Sequence, residues 1–73
     1  MNTNAQPIPN FQLTARELET LALFSTGWRA REIADKMNVS VHCINNYSAT
    51  IRKKMNVANM HHAVALAVSR SIL

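Results

Sequence analysis

After Asp35 the chain has no acidic residue. Its carboxylates, Glu17, Glu19, Glu32 and Asp35, all lie in the first half, while Lys36, Arg52, Lys53, Lys54, Arg70 and all the histidines follow Asp35. On a chain of net charge +4, a half with no acid to neutralise it carries a positive field, and polyanions are its natural partners. A solvated basic face has the same composition, so charge alone does not decide. Cysteine is nearly missing: Cys43 stands alone. No intrachain disulfide can form, and a reducing compartment is expected. Long apolar runs are missing too. Nothing approaches the ~20 residues of a membrane span, and residues 1–10 lack the basic-then-apolar order of a signal peptide. A cytoplasmic protein without a membrane partner is expected. Repeats, low-complexity tracts and convincing strands are absent.

Catalytic and metal-binding sets are lacking as well. No nucleophile, base and orienting group stand together in the pattern. His61 and His62 are adjacent and so point to different helix faces, and no Cys-x-x-Cys spacing accompanies His42 and Cys43. No enzyme activity, metal or cofactor is expected. Glu17 and Lys54 read as a capping acid paired with a basic helix end. Cys43 reads as a small, partly buried filler, because redox sensing needs an activated thiolate. Most methionines read as core fillers, with Met60 placed at an outer seam. Trp28 is expected to pack over the edge of the core.

What is present is one small domain of 73 residues, 48% of them hydrophobic, an ordinary globular composition. So short a chain hides only ~60% of its unfolded surface, and a partner subunit would help it. Residues 1–10 are polar, hold both prolines (Pro7 and Pro9), and read as a flexible tail before a domain of residues 11–73. Thr14 can cap a first helix, with Glu17 completing a capping box and Leu13 as a staple. Leu18, Leu21 and Phe24 recur at helical spacing, and Gly27 supplies a left-handed exit. A second, short helix is expected from about Ala30 to Met37, with Ile33, Ala34 and Met37 inward. Asn38 and Val39 make a tight turn. Ser40 then caps a third helix reaching about Met55. On a helical wheel Ile44, Ser48, Ile51 and Met55 share one face, and His42, Asn45, Asn46, Ala49 and Lys53 share the other. Asn59 caps a fourth helix, roughly Met60 to Arg70. It is apolar on two sides: Ala63, Leu66 and Ala67 on one, Val64, Ala65 and Val68 on the other. Two apolar faces suggest burial on both, one against the core and one against a second subunit.

Two helices joined by a turn of about three residues, the second longer, form the helix-turn-helix pattern. Its second helix enters the major groove of double-stranded DNA and meets base edges with its N-terminal residues. The base-reading candidates are therefore His42, Asn45, Asn46 and Ala49, an Asn being able to pair bidentately with adenine. Arg29 and Arg31, at the start of the helix that crosses the backbone, and Arg52, Lys53 and Lys54 further along are phosphate candidates.

The whole pattern resembles the LuxR/FixJ-type, GerE-like helix-turn-helix family over about residues 13–73. Leu13-Thr14-Ala15-Arg16-Glu17 reproduces its opening, followed in register by Glu19, Leu21, Leu23 and Gly27. Glu32-Ile33-Ala34, Ser40, Ile44, Ile51, Lys54-Met55, Val57, Asn59, Ala63 and Ala67 continue the match. The resemblance implies an all-α, four-helix domain, with Ser40 and Tyr47 beside DNA phosphates. Departures fall on the DNA-facing side. Asn45 stands where the family commonly has Lys and Tyr47 where it has His. Arg29 replaces a small polar cap, and Met60 replaces an Arg. The family domain usually follows a receiver or ligand-binding domain. A start at Met1 implies a stand-alone form.

Two functions follow as expectations. The first is a sequence-specific transcriptional regulator that binds DNA as a homodimer through His61, Val64, Ala65 and Val68. The second is an interaction module of the same fold that pairs with a full-length LuxR-type regulator without reading DNA itself.

Overall fold

The hydroxyl oxygen of Thr14 accepts the Glu17 N–H at 3.1 Å, and the Glu17 carboxylate accepts the Thr14 N–H at 2.9 Å. Two of the amides that a helix start leaves unpaired are thereby satisfied. The helix they open, α1, spans Ala15–Ser25. In the computed structural model, which describes residues 11–73, it is followed by α2 (Ala30–Met37), α3 (Val41–Met55) and α4 (Met60–Ser69). No strand occurs among the described residues. The flexible tail expected at residues 1–10 lies outside them.

The starts and stops are local chemistry. Ser40 Oγ accepts the Cys43 N–H at 3.1 Å, and Asn59 Oδ1 accepts the His62 N–H at 2.8 Å, capping α3 and α4 as their side chains suit them to do. Arg29 precedes α2 but has no acceptor to offer. Only the return half of a capping box forms there, with Glu32 Oε1 accepting the Arg29 N–H at 2.7 Å. Three exits share one device. Asn38 (φ +59°), Asn56 (φ +57°) and Ser71 (φ +59°) are left-handed. The next residue, Val39, Val57 or Ile72, returns its N–H to Ala34, Arg52 or Ala67 at 2.9, 3.0 and 2.8 Å. Each of those three residues also packs against the core, the apolar contact that accompanies such caps. The first exit differs: α1 ends at Ser25, and Gly27 turns the chain at φ +91°.

The core has two parts. One joins α1, α3 and α4 through Leu13, Leu21, Ile51, Met55, Ala63 and Ala67. The other joins α2 to the start of α3 through Ile33, Ala34, Met37 and Ile44, with Leu23, Phe24 and Tyr47 against it. The expected inward face of α3 is buried as read, Ser48 included. Thr20, which the apolar pattern of α1 passes over, is fully buried. Its hydroxyl donates to the Arg16 carbonyl at 2.8 Å, with Met37 Sδ at 3.4 Å, so its polar atom is not orphaned. One expectation for α4 is corrected. Val64 is half-buried and packs on the core with Met60 and Leu66, because its flank of the helix turns back toward α1. Ala65 and Val68 are exposed.

Candidate nucleic-acid interface

The placement of α3 begins on α1. Arg16 donates from its guanidinium to the Met37 carbonyl at 3.3 Å, meeting the negative end of α2 with a cation. With Thr20 beneath the Met37 side chain, the end of α2 is held on two sides, just where residues 38–40 swing the chain into α3. At the other end of α3, Lys54 Nζ donates to Glu17 Oε1 at 2.7 Å and to the Gln12 carbonyl at 3.0 Å. The opening motif thus does more than start a helix. Its Thr caps, its Arg holds α2, and its Glu holds the far end of α3.

Glu17 is buried, only 6% exposed. Burial pushes its carboxyl upward. The Lys54 hydrogen bond and charge, with the Thr14 amide and hydroxyl, outweigh that and hold it below the usual carboxylate range. The pairing foreseen between Glu17 and Lys54 is present. It ties the Lys54 ammonium to the opening of α1, while 29% of the Lys54 side-chain surface stays exposed.

His42, Asn45, Asn46 and Ala49 are all exposed on α3, opposite Ile44, Ser48 and Ile51. Lys53 is exposed one turn further on, and Arg52 is half-buried, its Nε donating to the Ser48 carbonyl at 3.2 Å. Arg29, Arg31 and Ser40 are exposed around the start of α2 and of α3. Tyr47 is half-buried, packed against the α2–α3 cluster, and so braces the helix on α2. The outer surface of α3 therefore carries donors, amides and small apolar groups and no carboxylate. That surface suits a polyanion. Cys43 is half-buried. Among the described residues, no three His, Cys, Asp or Glu side chains gather to hold a metal, and no helix is long and apolar enough to cross a membrane.

Away from α3, the four residues expected at a seam do not behave alike. His61, Ala65 and Val68 are exposed, Val68 by 57%, whereas Val64 lies at their edge. Val64 and His61 also border an open cleft of about 440 Å³ that runs between α4 and the exit of α1, walled by Phe24, Trp28 and Met60. Trp28 is 37% exposed there rather than closed over the core. Met60 faces this cleft and the core rather than the exposed strip. Two linking residues escape a sequence reading. Arg16 is visible only as a motif letter, and Arg70, which stands over the Phe11 ring at 5.4 Å, gives no local signal at all.

Comparison with known proteins agrees with this architecture. Residues 11–67 match the family described as bacterial regulatory proteins, luxR family. Over 67 residues, 92% of this chain, the sequence is 34% identical to the transcriptional activator protein BjaR1 of Bradyrhizobium diazoefficiens, 28% of which is covered. Over 61 residues, 84% of this chain, it is 38% identical to the probable transcriptional regulatory protein SgaR of Hyphomicrobium methylovorum, covering 29% of that protein. A match of the same length is 34% identical to the oxygen regulatory protein NreC of Staphylococcus carnosus and covers 28% of it. The chain spans under a third of the length of the curated relatives it matches. With residues 11–67 matched to that family, the chain belongs to the luxR family of bacterial regulatory proteins.

Proposed function

We propose that this domain is a transcriptional regulator that binds double-stranded DNA sequence-specifically in the bacterial cytoplasm, with α3 in the major groove. The observation that carries the reading is the acid-free outer face of α3, opposite a buried inner face. His42, Asn45, Asn46 and Ala49 meet base edges. Arg29, Arg31, Arg52 and Lys53 contact phosphates, helped by the Ser40 and Tyr47 hydroxyls. Lys54 stays with Glu17. The family is one of transcription regulators and not of enzymes, and positioning without bond chemistry is all the mechanism requires. Two copies pair across a two-fold axis through His61, Ala65 and Val68 with Val64 at the rim. A single recognition helix covers too few base pairs, and a dimer reads half-sites about one turn, ~34 Å, apart.

Retardation of labelled duplex DNA across a salt series tests this. Four cations per subunit predict a log–log slope of roughly −3 to −4 for each bound subunit. No retardation at low salt would defeat the proposal. A second reading draws on the exposed Ala65 and Val68 together with the changed residues Asn45 and Tyr47. In it the same strip of α4 pairs with a full-length LuxR-type regulator, and α3 reads nothing. Absence of retardation, with co-purification of such a regulator, would favour that reading.

A further inference from the structure

We propose that the half-site of this domain is centred on A·T pairs, with one adenine on each strand held by Asn45 and Asn46. The proposal rests on α3 being the recognition helix and names what that helix reads. Residues 41–51 of α3 contain neither Arg nor Lys. The commonest specific contact to guanine is an Arg or Lys on its O6 and N7, and the turns nearest the bases lack both. The first cation, Arg52, lies seven positions beyond Asn45, ~10 Å along the axis at 1.5 Å per residue, and its Nε is turned back to Ser48.

What those turns do expose is Val41, His42, Asn45, Asn46 and Ala49. An Asn amide accepts from adenine N6 and donates to N7, and neither amide here bonds to another described residue. His42 offers one ring N–H to a purine N7, an acceptor that adenine and guanine share, so it does not choose between them. The Ala49 and Val41 methyls suit the thymine methyl. At about 100° per residue, His42 and Ala49 fall on one line along the helix, with Asn45 and Asn46 about 50° to either side. With that line on the groove floor, the two amides lean to opposite walls and meet opposite strands.

The test begins with selection by the 73-residue chain from duplexes with a randomised centre. The expected product has adjacent A·T pairs with adenine on both strands. In the selected duplex, 7-deazaadenine, which lacks the N7 acceptor, should weaken binding roughly 3- to 10-fold on either strand. Asn45→Ala should abolish that sensitivity on one strand and Asn46→Ala on the other, each variant binding roughly 5- to 100-fold less tightly. Both positions are exposed, so the variants fold. A guanine-centred product, or indifference to 7-deazaadenine, overturns the proposal and leaves α3 as the reader. Retained DNA without any enriched sequence overturns the proposal and sequence reading by α3 together.

Discussion

At the scale of single residues, Glu17 joins structure to pH. A carboxyl held below its unfolded value adds stability that is complete above that value, ~4.3 for Glu. The contribution is lost as pH falls through the lower, folded value. The thermal midpoint of the wild-type chain should therefore fall as pH drops below about 5. Glu17→Gln keeps the shape but not the charge. It should cost about 1–2 kcal/mol at neutral pH and flatten the acid limb of the midpoint curve. An unchanged acid limb would show that Glu17 is not the group that titrates. Arg29 sets stability against binding. A serine there offers the acceptor that Arg29 lacks, so Arg29→Ser should gain up to about 1 kcal/mol of stability while lowering the salt slope of DNA binding by ~1. A stabilised protein with an unchanged slope would remove Arg29 from the phosphate contacts.

At the scale of elements, how much could be read in advance depended on distance along the chain. Caps act over three residues, so Thr14, Ser40 and Asn59 announced their helices, and the observed starts follow them. The two faces of α3 were legible because a period near 3.6 sorts a long helix cleanly. Interactions between helices were not. Thr20 looks like a surface residue until α2 is laid over it, and only then does its hydroxyl find Met37. Arg70 meets Phe11 only because the chain returns to its start. The α4 strip was half legible. An alanine-rich helix with apolar residues nearly all round gives periodicity little contrast, and Val64 lies on the border between the two sides. The polar side chains of the proposed reading face could be named because nothing among the described residues competes for them. Lys54 reads from sequence both as a partner of Glu17 and as a phosphate candidate, and the pairing with Glu17 is the one the fold displays.

At the scale of the molecule, the exposed strip of α4 carries the proposed assembly. One substitution at a two-fold seam acts twice, and Val68→Glu would bury like charges without partners. Folding should survive, since Ala63 and Ala67 remain sealed on the opposite side. Mass in solution should fall to that of the monomer, and binding to paired half-sites should lose cooperativity. A folded Val68→Glu protein that still binds cooperatively would eliminate α4 as the seam. The division of the core into two clusters has a different consequence. The proposed reading turns of α3 rest on the smaller one, with Ile33, Ala34, Met37 and Ile44, while the C-terminal half of α3 is anchored between α1 and α4. Regions with fewer buried contacts open at lower free energy. Amide protons in α2 and the first turns of α3 should therefore exchange with heavy water sooner than those of α1 and of Ile51 or Met55, and bound duplex should slow that early set most. Uniform exchange along all the helices would mean that the domain opens as a single unit and that DNA meets a surface already as rigid as the rest.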